Sequence, residues 1–504
     1  MSEEDRTVVV SAPGKVLLGG GYIVLERKHT GLVFGLSARI HVLAQEIPTS
    51  EGVHLSEIVV QSPQFLNATW RYGYHAVDMN GGIKVTQLQS GEPVEPNHFV
   101  ETTLTYVLSY IAHAARNQFA NGFKPASLII LADNDYYSRP KYSSDARPSS
   151  ASSTTSSSST TAAAAAAVAA AAGSSSSEAT ITAAAPPGSS NSPSQKTSTA
   201  HRPRFRHFGT TLSGAHKTGL GSSAALVTAL TAALLSHYLH PVMFDLTTPR
   251  GRRILHNLAQ IAHCSAQGKI GSGFDVASAV YGSGLYRRFS PSVIGRVVLP
   301  EPGQPFFAQA LVQTVNQGMW DCEMDKSALG GAGGLPRGVV VRMVDVDCGT
   351  QTVGMVKRVH EWKAARPEAA ERLYDEIQAC VDGLARVLRE GDVDGIRGAM
   401  RPLRECMRRL GNESGVPIEP QSQTEMLDEL EKVPGVLGSV VPGAGGYDAA
   451  AVVMRDDEET ERLVKEFLRK WGNEKDVRVS LMRVKGETEG ARKEDLREFK
   501  AWIS

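Results

Sequence analysis

The stretch Lys217–Ala225 reads Lys-Thr-Gly-Leu-Gly-Ser-Ser-Ala-Ala, a set of residues suited to gripping phosphate. Gly219 and Gly221 let the backbone turn tightly and bring N–H groups close to a ligand. Ser222 and Ser223 stand where a helix begins, beside orphan amides and the positive end of the helix dipole. That arrangement attracts anions. A serine-capped helix after a glycine turn explains the same stretch equally well. The stretch is neither a P-loop nor a dinucleotide fingerprint: its lysine precedes the glycines, and Ala224 stands where a third glycine would fall. Phosphate binding on another fold is the physical suggestion.

Other residues could share that chemistry. Lys15 closes the turn Ser11-Ala12-Pro13-Gly14-Lys15 and could offset phosphate charge, or simply be solvated. Asp275 follows Gly268-Lys269-Ile270-Gly271-Ser272-Gly273-Phe274 and reads as an active-site acid or as the N-cap of Val276–Tyr281. Lys269 could meet a substrate phosphate or be a loop lysine. Tyr22 could hydrogen-bond a substrate or only pack. Gly443-Ala444-Gly445-Gly446 reads as a turn between strands where backbone can approach a ligand. Gly330–Gly334 suits a lid element and a linker alike.

Periodicity places these residues on elements. Thr7–Val10, Ala38–Gln45, Ile58–Gln61 and Ser127–Ala132 predict strands, and Val16–Leu25 an extended run. Phe99–Phe119 has helical spacing, and a long helix should run from Ser222 to about Leu239. Gly251–Gln267 and Ser272–Val280 predict further helices, and Gly284–Phe289 a closing strand. Glu301–Gly334, rich in Pro, Gly and Gln, predicts irregular chain and a domain boundary near residue 300. Beyond it come the strand Gly338–Asp345 and helices at 352–364, 367–390, 393–410 and 423–432. Strands 436–441, 448–454 and 477–484 and the helix 458–471 complete the pattern. Helices grouped between strands imply an α+β sandwich on an antiparallel sheet. From about 143 to 200, serine, threonine, alanine and proline replace large apolar residues, which predicts a disordered insertion within the first domain.

A chain of 504 residues with 41% hydrophobic residues can build two or three cored domains. Lys+Arg and Asp+Glu both number 53, which argues against a nucleic-acid or acidic-membrane partner. The cysteines Cys264, Cys322, Cys348, Cys380 and Cys406 are scattered without a Cys-x-x-Cys pair, as expected of reduced thiols in the cytoplasm. Neither a signal peptide nor a membrane span is expected.

Pro13-Gly14-Lys15, Gly219–Ala224 and Pro442–Gly446 resemble, in order, the three motifs of the GHMP kinase superfamily. Ser11–Glu26, Ala266–Ala277, Asp345–Lys363, Gly411–Pro417 and Val441–Ala449 look most like fungal-type phosphomevalonate kinases. Gly20-Gly21-Tyr22 departs from the Gly-Glu-His usual in mevalonate kinase and galactokinase. The resemblance spans the chain except 143–200. It implies an α+β, two-domain fold: an N-terminal ribosomal-protein-S5-like α/β domain over 1–300 and a C-terminal ferredoxin-like α+β domain over 301–504. It implies ATP and Mg²⁺, with phosphomevalonate as acceptor. By the same resemblance, Lys15, Asp275 and Ser223 are catalytic, and Lys217, Thr218, Gly219, Leu220, Gly221, Ser222, Ser223, Ala224 and Ala225 hold ATP. Ser223 is the metal ligand, and Tyr22, Lys269, Ser272, Gly443, Ala444, Gly445 and Gly446 meet the acceptor. A sibling kinase such as mevalonate kinase, or a ligand-sensing regulator on the same fold, is the alternative. The acceptor phosphate, with a second pKa of about 6, is already mostly dianionic near neutrality. Charge offset by Lys15 should therefore matter more than base catalysis by Asp275.

Overall fold

Alternation of β-branched and small residues builds long strands in both halves of the chain, and helices with one apolar stripe cover them. The computed structural model describes residues 7–52, 55–89, 94–119, 122–138, 203–295, 299–330, 334–347 and 354–503. The unit comprising 1–140 and 204–504 is the one described below; of the second, Lys141–Pro203, only Pro203 is described. The insertion expected at 143–200 thus lies outside the described residues, as do Cys348 and residues 331–333 of the glycine run.

The strands of the first half are β1 (Val8–Gly19), β2 (Thr30–Glu46), β3 (Glu57–Gln61), β4 (Thr69–Val77), β5 (Gly82–Leu88), β6 (Ala126–Ala132), β7 (Tyr137–Ser138), β8 (His216–Lys217) and β9 (Gly284–Arg287). Its helices are α1 (His98–Ala114), α2 (Ser222–Tyr238), α3 (Pro249–Ala266) and α4 (Phe274–Tyr281). Then follow α5 (Phe307–Gln317), β10 (Glu323–Asp325), β11 (Val339–Asp347), α6 (Met355–Ala365), α7 (Pro367–Glu390), α8 (Gly395–Ser414) and α9 (Gln421–Leu430). The chain ends with β12 (Val436–Val440), β13 (Ala449–Arg455), α10 (Glu458–Lys475), β14 (Arg478–Glu487) and β15 (Arg492–Lys493).

One sheet runs β12-β13-β11-β14-β2-β6-β3-β4-β5, with β1 paired to β2 and β15, and β9 to β2 and β10. All its pairs are antiparallel except β3 with β6. The two halves join where β14 meets β2, through Gly486 opposite Leu36 and Glu487 opposite Gly35. Helices α1 and α3 bury one face each, and α2 is buried nearly all round, in a continuous core that includes Leu104, Leu230, Leu255 and Val42. The apolar stripe of α7, Leu373, Ile377, Leu384 and Leu388, joins the same core.

Four sequence readings are corrected, the first being the extended run Val16–Leu25, which stops at Gly19 before a 3-10 helix over Gly21–Leu25. Pro13-Gly14-Lys15 is not a turn: β1 runs through it, and a register shift against β2 between Pro13 and Gly14 absorbs the proline. Part of the stretch expected to be irregular after residue 300 is α5, whose buried Phe307, Leu311 and Val315 recur every four residues. Strands β4 and β5 were not anticipated; exposed residues interrupt both.

Candidate active site

The phosphate-gripping stretch enters the fold pinned at both ends. Thr218 donates from its amide to the Tyr136 carbonyl at 3.1 Å and from its hydroxyl to the Asp135 carbonyl at 2.6 Å. Beyond it, the Lys15 amide donates to the Leu220 carbonyl at 2.9 Å. Gly219 takes a φ of 72°, and a Cβ there would meet nothing within 4 Å, so the bend opens outward. Gly221, at φ 81°, is the N-cap of α2, and no side chain caps the helix. Ser222 and Ser223 are therefore its first two helical residues rather than caps, and their amides are among the orphan donors.

Lys15 lies along this bend. A Cβ at Gly221 would stand 2.9 Å from Lys15 Cε, so glycine leaves the space through which the lysine stem passes. The ammonium sits 5.7 Å from the centre of the Phe274 ring. Burial holds its pKa below the ordinary lysine value, and the charge of Asp275 partly opposes that shift. Asp275 is in the first turn of α4, whose N-cap is Gly273 at φ 80°; it is not itself the cap. Its Oδ1 accepts the Val276 amide at 3.0 Å. Two helix starts, one lysine and one carboxylate thus converge from separate parts of the sequence.

The third motif meets the other end of β1. The Gly443 amide donates to Leu17 O at 3.1 Å, Gly445 to Pro442 O at 3.2 Å and Gly446 to Ile418 O at 3.0 Å. Those bonds leave the Ala444 amide as the turn's candidate donor for a ligand. The hydroxyl of buried Tyr22 donates to the Ala444 carbonyl at 2.7 Å, so it orients this peptide. We expect Tyr22→Phe to raise the acceptor KM about fivefold while kcat changes less than about twofold, since one hydrogen bond contributes about 1 kcal/mol. Steady-state kinetics with the acceptor varied checks this; an unchanged KM would show that the turn holds without Tyr22.

The remaining expected residues are more peripheral. Lys217 in β8 and Lys269 in the α3–α4 loop are exposed. Ser272 is fixed through its carbonyl, which accepts the Tyr286 hydroxyl at 2.7 Å, while Arg288 donates to Gly271 O at 2.7 Å. Ala224 and Ala225 are buried in the core below the loop. Two further groups were not anticipated. His263 lies between Ser223 and Asp275. Arg404 of α8 makes a buried ion pair with Glu419, which follows Ile418, the residue that holds Gly446. A cleft of about 410 Å³ is lined by Phe65, Trp70, Gln87 and Val94, among others. The Leu66 amide on its flank donates to Thr210 O, on the chain that leads into the phosphate loop.

The chain matches the family model of the GHMP kinases N terminal domain over residues 210–283 and that of the GHMP kinases C terminal over 392–474. It is 50% identical to a phosphomevalonate kinase of Gibberella zeae over the whole of both chains. It is 38% identical to one of Aspergillus fumigatus, with 98% of each chain covered. A solved structure of Streptococcus pneumoniae phosphomevalonate kinase, in complex with phosphomevalonate and AMPPNP, superposes with a TM-score of 0.55 at 14% identity. That likeness covers 95% of this chain and 99% of the other. Fold and motifs are those of the GHMP kinases. Within them, the chain belongs to the phosphomevalonate kinase family.

Proposed function

We propose that the protein transfers the γ-phosphoryl group of ATP to the phosphate of (R)-5-phosphomevalonate, giving (R)-5-diphosphomevalonate and ADP. The observation that carries this reading is Lys15, threaded between the Gly219–Gly221 bend and Asp275. Both substrates are polyanions, and their approach is opposed by charge until a cation stands between them. The amides that open α2 grip the β- and γ-phosphates of ATP, and the cleft beside Leu66 takes the nucleoside. The acceptor phosphate lies toward Lys15 and Lys269, with its carbon skeleton at the Ala444 amide. An oxygen of the acceptor phosphate forms the new bond to Pγ as the bond from Pγ to the β-phosphate oxygen breaks. No proton need leave a dianionic acceptor, so Asp275 serves to keep buried Lys15 charged.

Ser223 Oγ and the Asp275 carboxylate are hard oxygen donors near the phosphate bend, a set that suits Mg²⁺ alongside phosphate oxygens and water. When bound, Mg²⁺ supplies further neutralisation of phosphate charge. A two-domain division near residue 300 is proposed on the same footing, supported by family matches on either side of it. Among the described residues no helix is long and apolar enough to cross a membrane. We place the protein in the cytoplasm on the free thiols of Cys264, Cys322, Cys380 and Cys406 among the described residues.

ADP release measured with mevalonate and phosphomevalonate side by side tests the reading. Turnover is expected with phosphomevalonate alone. Turnover with mevalonate, or ATP binding without turnover on either, would overturn it.

A further inference from the structure

His263 has no part in the chemistry proposed so far, yet it touches two of the residues that do. It projects from α3, its side chain is 3% exposed, and its ring lies 5.8 Å from that of Phe99. Its Nε2 lies 3.2 Å from Ser223 Oγ, 3.2 Å from the side-chain amide nitrogen of Gln267 and 3.9 Å from Asp275 Oδ2. Both close neighbours of Nε2, the Gln267 amide and the Ser223 hydroxyl, can donate; with the ring proton on Nδ1, Nε2 offers them its one lone pair. A nitrogen that offers a lone pair cannot donate to Ser223. In that tautomer the Ser223 hydroxyl is the donor to the ring. Asp275 Oδ2 is beyond hydrogen-bond reach of Nε2 and stays available to Lys15.

We propose that His263 is a positioning residue: it takes the Ser223 hydroxyl proton as a hydrogen bond and so turns the Ser223 oxygen lone pairs out of the protein, toward cation and phosphate. A free serine hydroxyl rotates among three wells, and only some of them present a lone pair to a metal. His263 fixes the rotor, and Ser223 meets the ligand. The inference rests on the reading of Ser223 as a metal- and phosphate-facing residue.

The test compares His263→Phe and His263→Gln, each with Ser223 intact and with Ser223→Ala. Phenylalanine keeps the packing against Phe99 but has no acceptor; glutamine restores an acceptor oxygen. Two quantities are read: kcat, and the gain in AMPPNP affinity on adding Mg²⁺ over its affinity in EDTA, by calorimetry. Partners that orient a metal ligand typically contribute 10- to 100-fold. His263→Phe is therefore expected to lower kcat about 30-fold and the Mg²⁺-dependent gain about tenfold. AMPPNP affinity in EDTA and the acceptor KM should stay within about twofold. His263→Gln should recover much of both losses. In the Ser223→Ala background, His263→Phe should cost less than about twofold more. Equal costs in the two backgrounds, or a loss of metal-free affinity matching the loss with Mg²⁺, would overturn the proposal. If Ser223→Ala alone leaves the Mg²⁺ gain intact, the reading of Ser223 fails first. If it abolishes the gain while His263→Phe is silent, only the role of His263 fails. Should His263→Phe not fold, His263→Asn decides, because its amide is too short to reach Ser223; a wild-type Mg²⁺ gain there would overturn the proposal.

Discussion

Lys15→Ala is expected to lower kcat by about three orders of magnitude, the loss that follows removal of a group facing developing charge in a closed site. Asp275→Asn is expected to lose at least about tenfold less. The ordering follows from the acceptor: a phosphate dianion already carries the electrons that attack, so a base gains little while a cation is needed throughout. Single-turnover rates of the two variants check it, with circular dichroism to show that both are folded. Equal or reversed losses would return Asp275 to the role of base.

The same lysine should leave a mark on stability. Its folded pKa is lowered, so between that value and the ordinary 10.5 the unfolded chain binds more protons than the folded one. Stability contributed by this group therefore rises with pH across that window, and below it the buried charge is a standing cost. Lys15→Met, which keeps most of the stem against Gly221, should remove the cost and give a Tm at neutral pH no lower than that of the parent. The free enzyme should lose phosphate affinity on the alkaline side earlier than an exposed lysine would dictate. A polyanion bound beside Lys15 should push that limb back up.

The elements legible in the sequence are those whose signal is local. Helix α7 was expected at 367–390 and spans Pro367–Glu390, because its stripe repeats from Ala370 to Leu388, about five turns, and Gly391, at φ 72°, ends it. The bends at Gly219–Gly221 and Gly443–Gly446 were equally plain, since their positive φ angles leave few residue choices. What stayed hidden depends on chain distant in sequence. Pro13-Gly14-Lys15 has turn composition, but pairing with β2 draws it into a bulged strand. Ser222 looked like a cap, but Gly221 in the left-handed region already starts the helix. His263 reads as one more histidine in an amphipathic helix until α2 and α4 bring Ser223 and Asp275 to it. Its one local signal is Gln267, a turn further on, whose side-chain amide faces the ring.

Arg404→Leu is expected to destabilise the protein by about 3–5 kcal/mol, the cost of leaving a buried charge without its partner. The guanidinium and the Glu419 carboxylate have side chains only 6% and 2% exposed. Arg404 donates to Glu419 through Nε at 2.9 Å and Nη2 at 2.7 Å, and to the Thr424 carbonyl at 3.2 Å. Its Nη1 stands 2.8 Å from Asp428 and 3.5 Å from Glu431. Without the arginine, Glu419 would keep the Thr424 hydroxyl, at 3.0 Å, as its remaining side-chain donor. The effect should reach the site, because this cluster braces the third motif from both sides. Glu419 follows Ile418, whose carbonyl holds the Gly446 amide, and Glu431 accepts from the amide and hydroxyl of Ser439, on the strand that leads into Pro442. A Cβ at Gly445 would stand 2.3 Å from the same Ile418 carbonyl, so the turn has no slack in that direction. The variant should therefore show a raised acceptor KM with an ATP KM close to the parent's, as well as a lower urea midpoint. The double variant Arg404→Leu/Glu419→Leu should recover much of the stability, since the most deeply buried of the stranded charges, Glu419, is then removed as well. It should not recover the acceptor KM, because neither apolar residue can hold the Thr424 carbonyl and Glu431 in place. Recovery of both by the double variant would show that the pair only balances itself and that the turn is braced elsewhere.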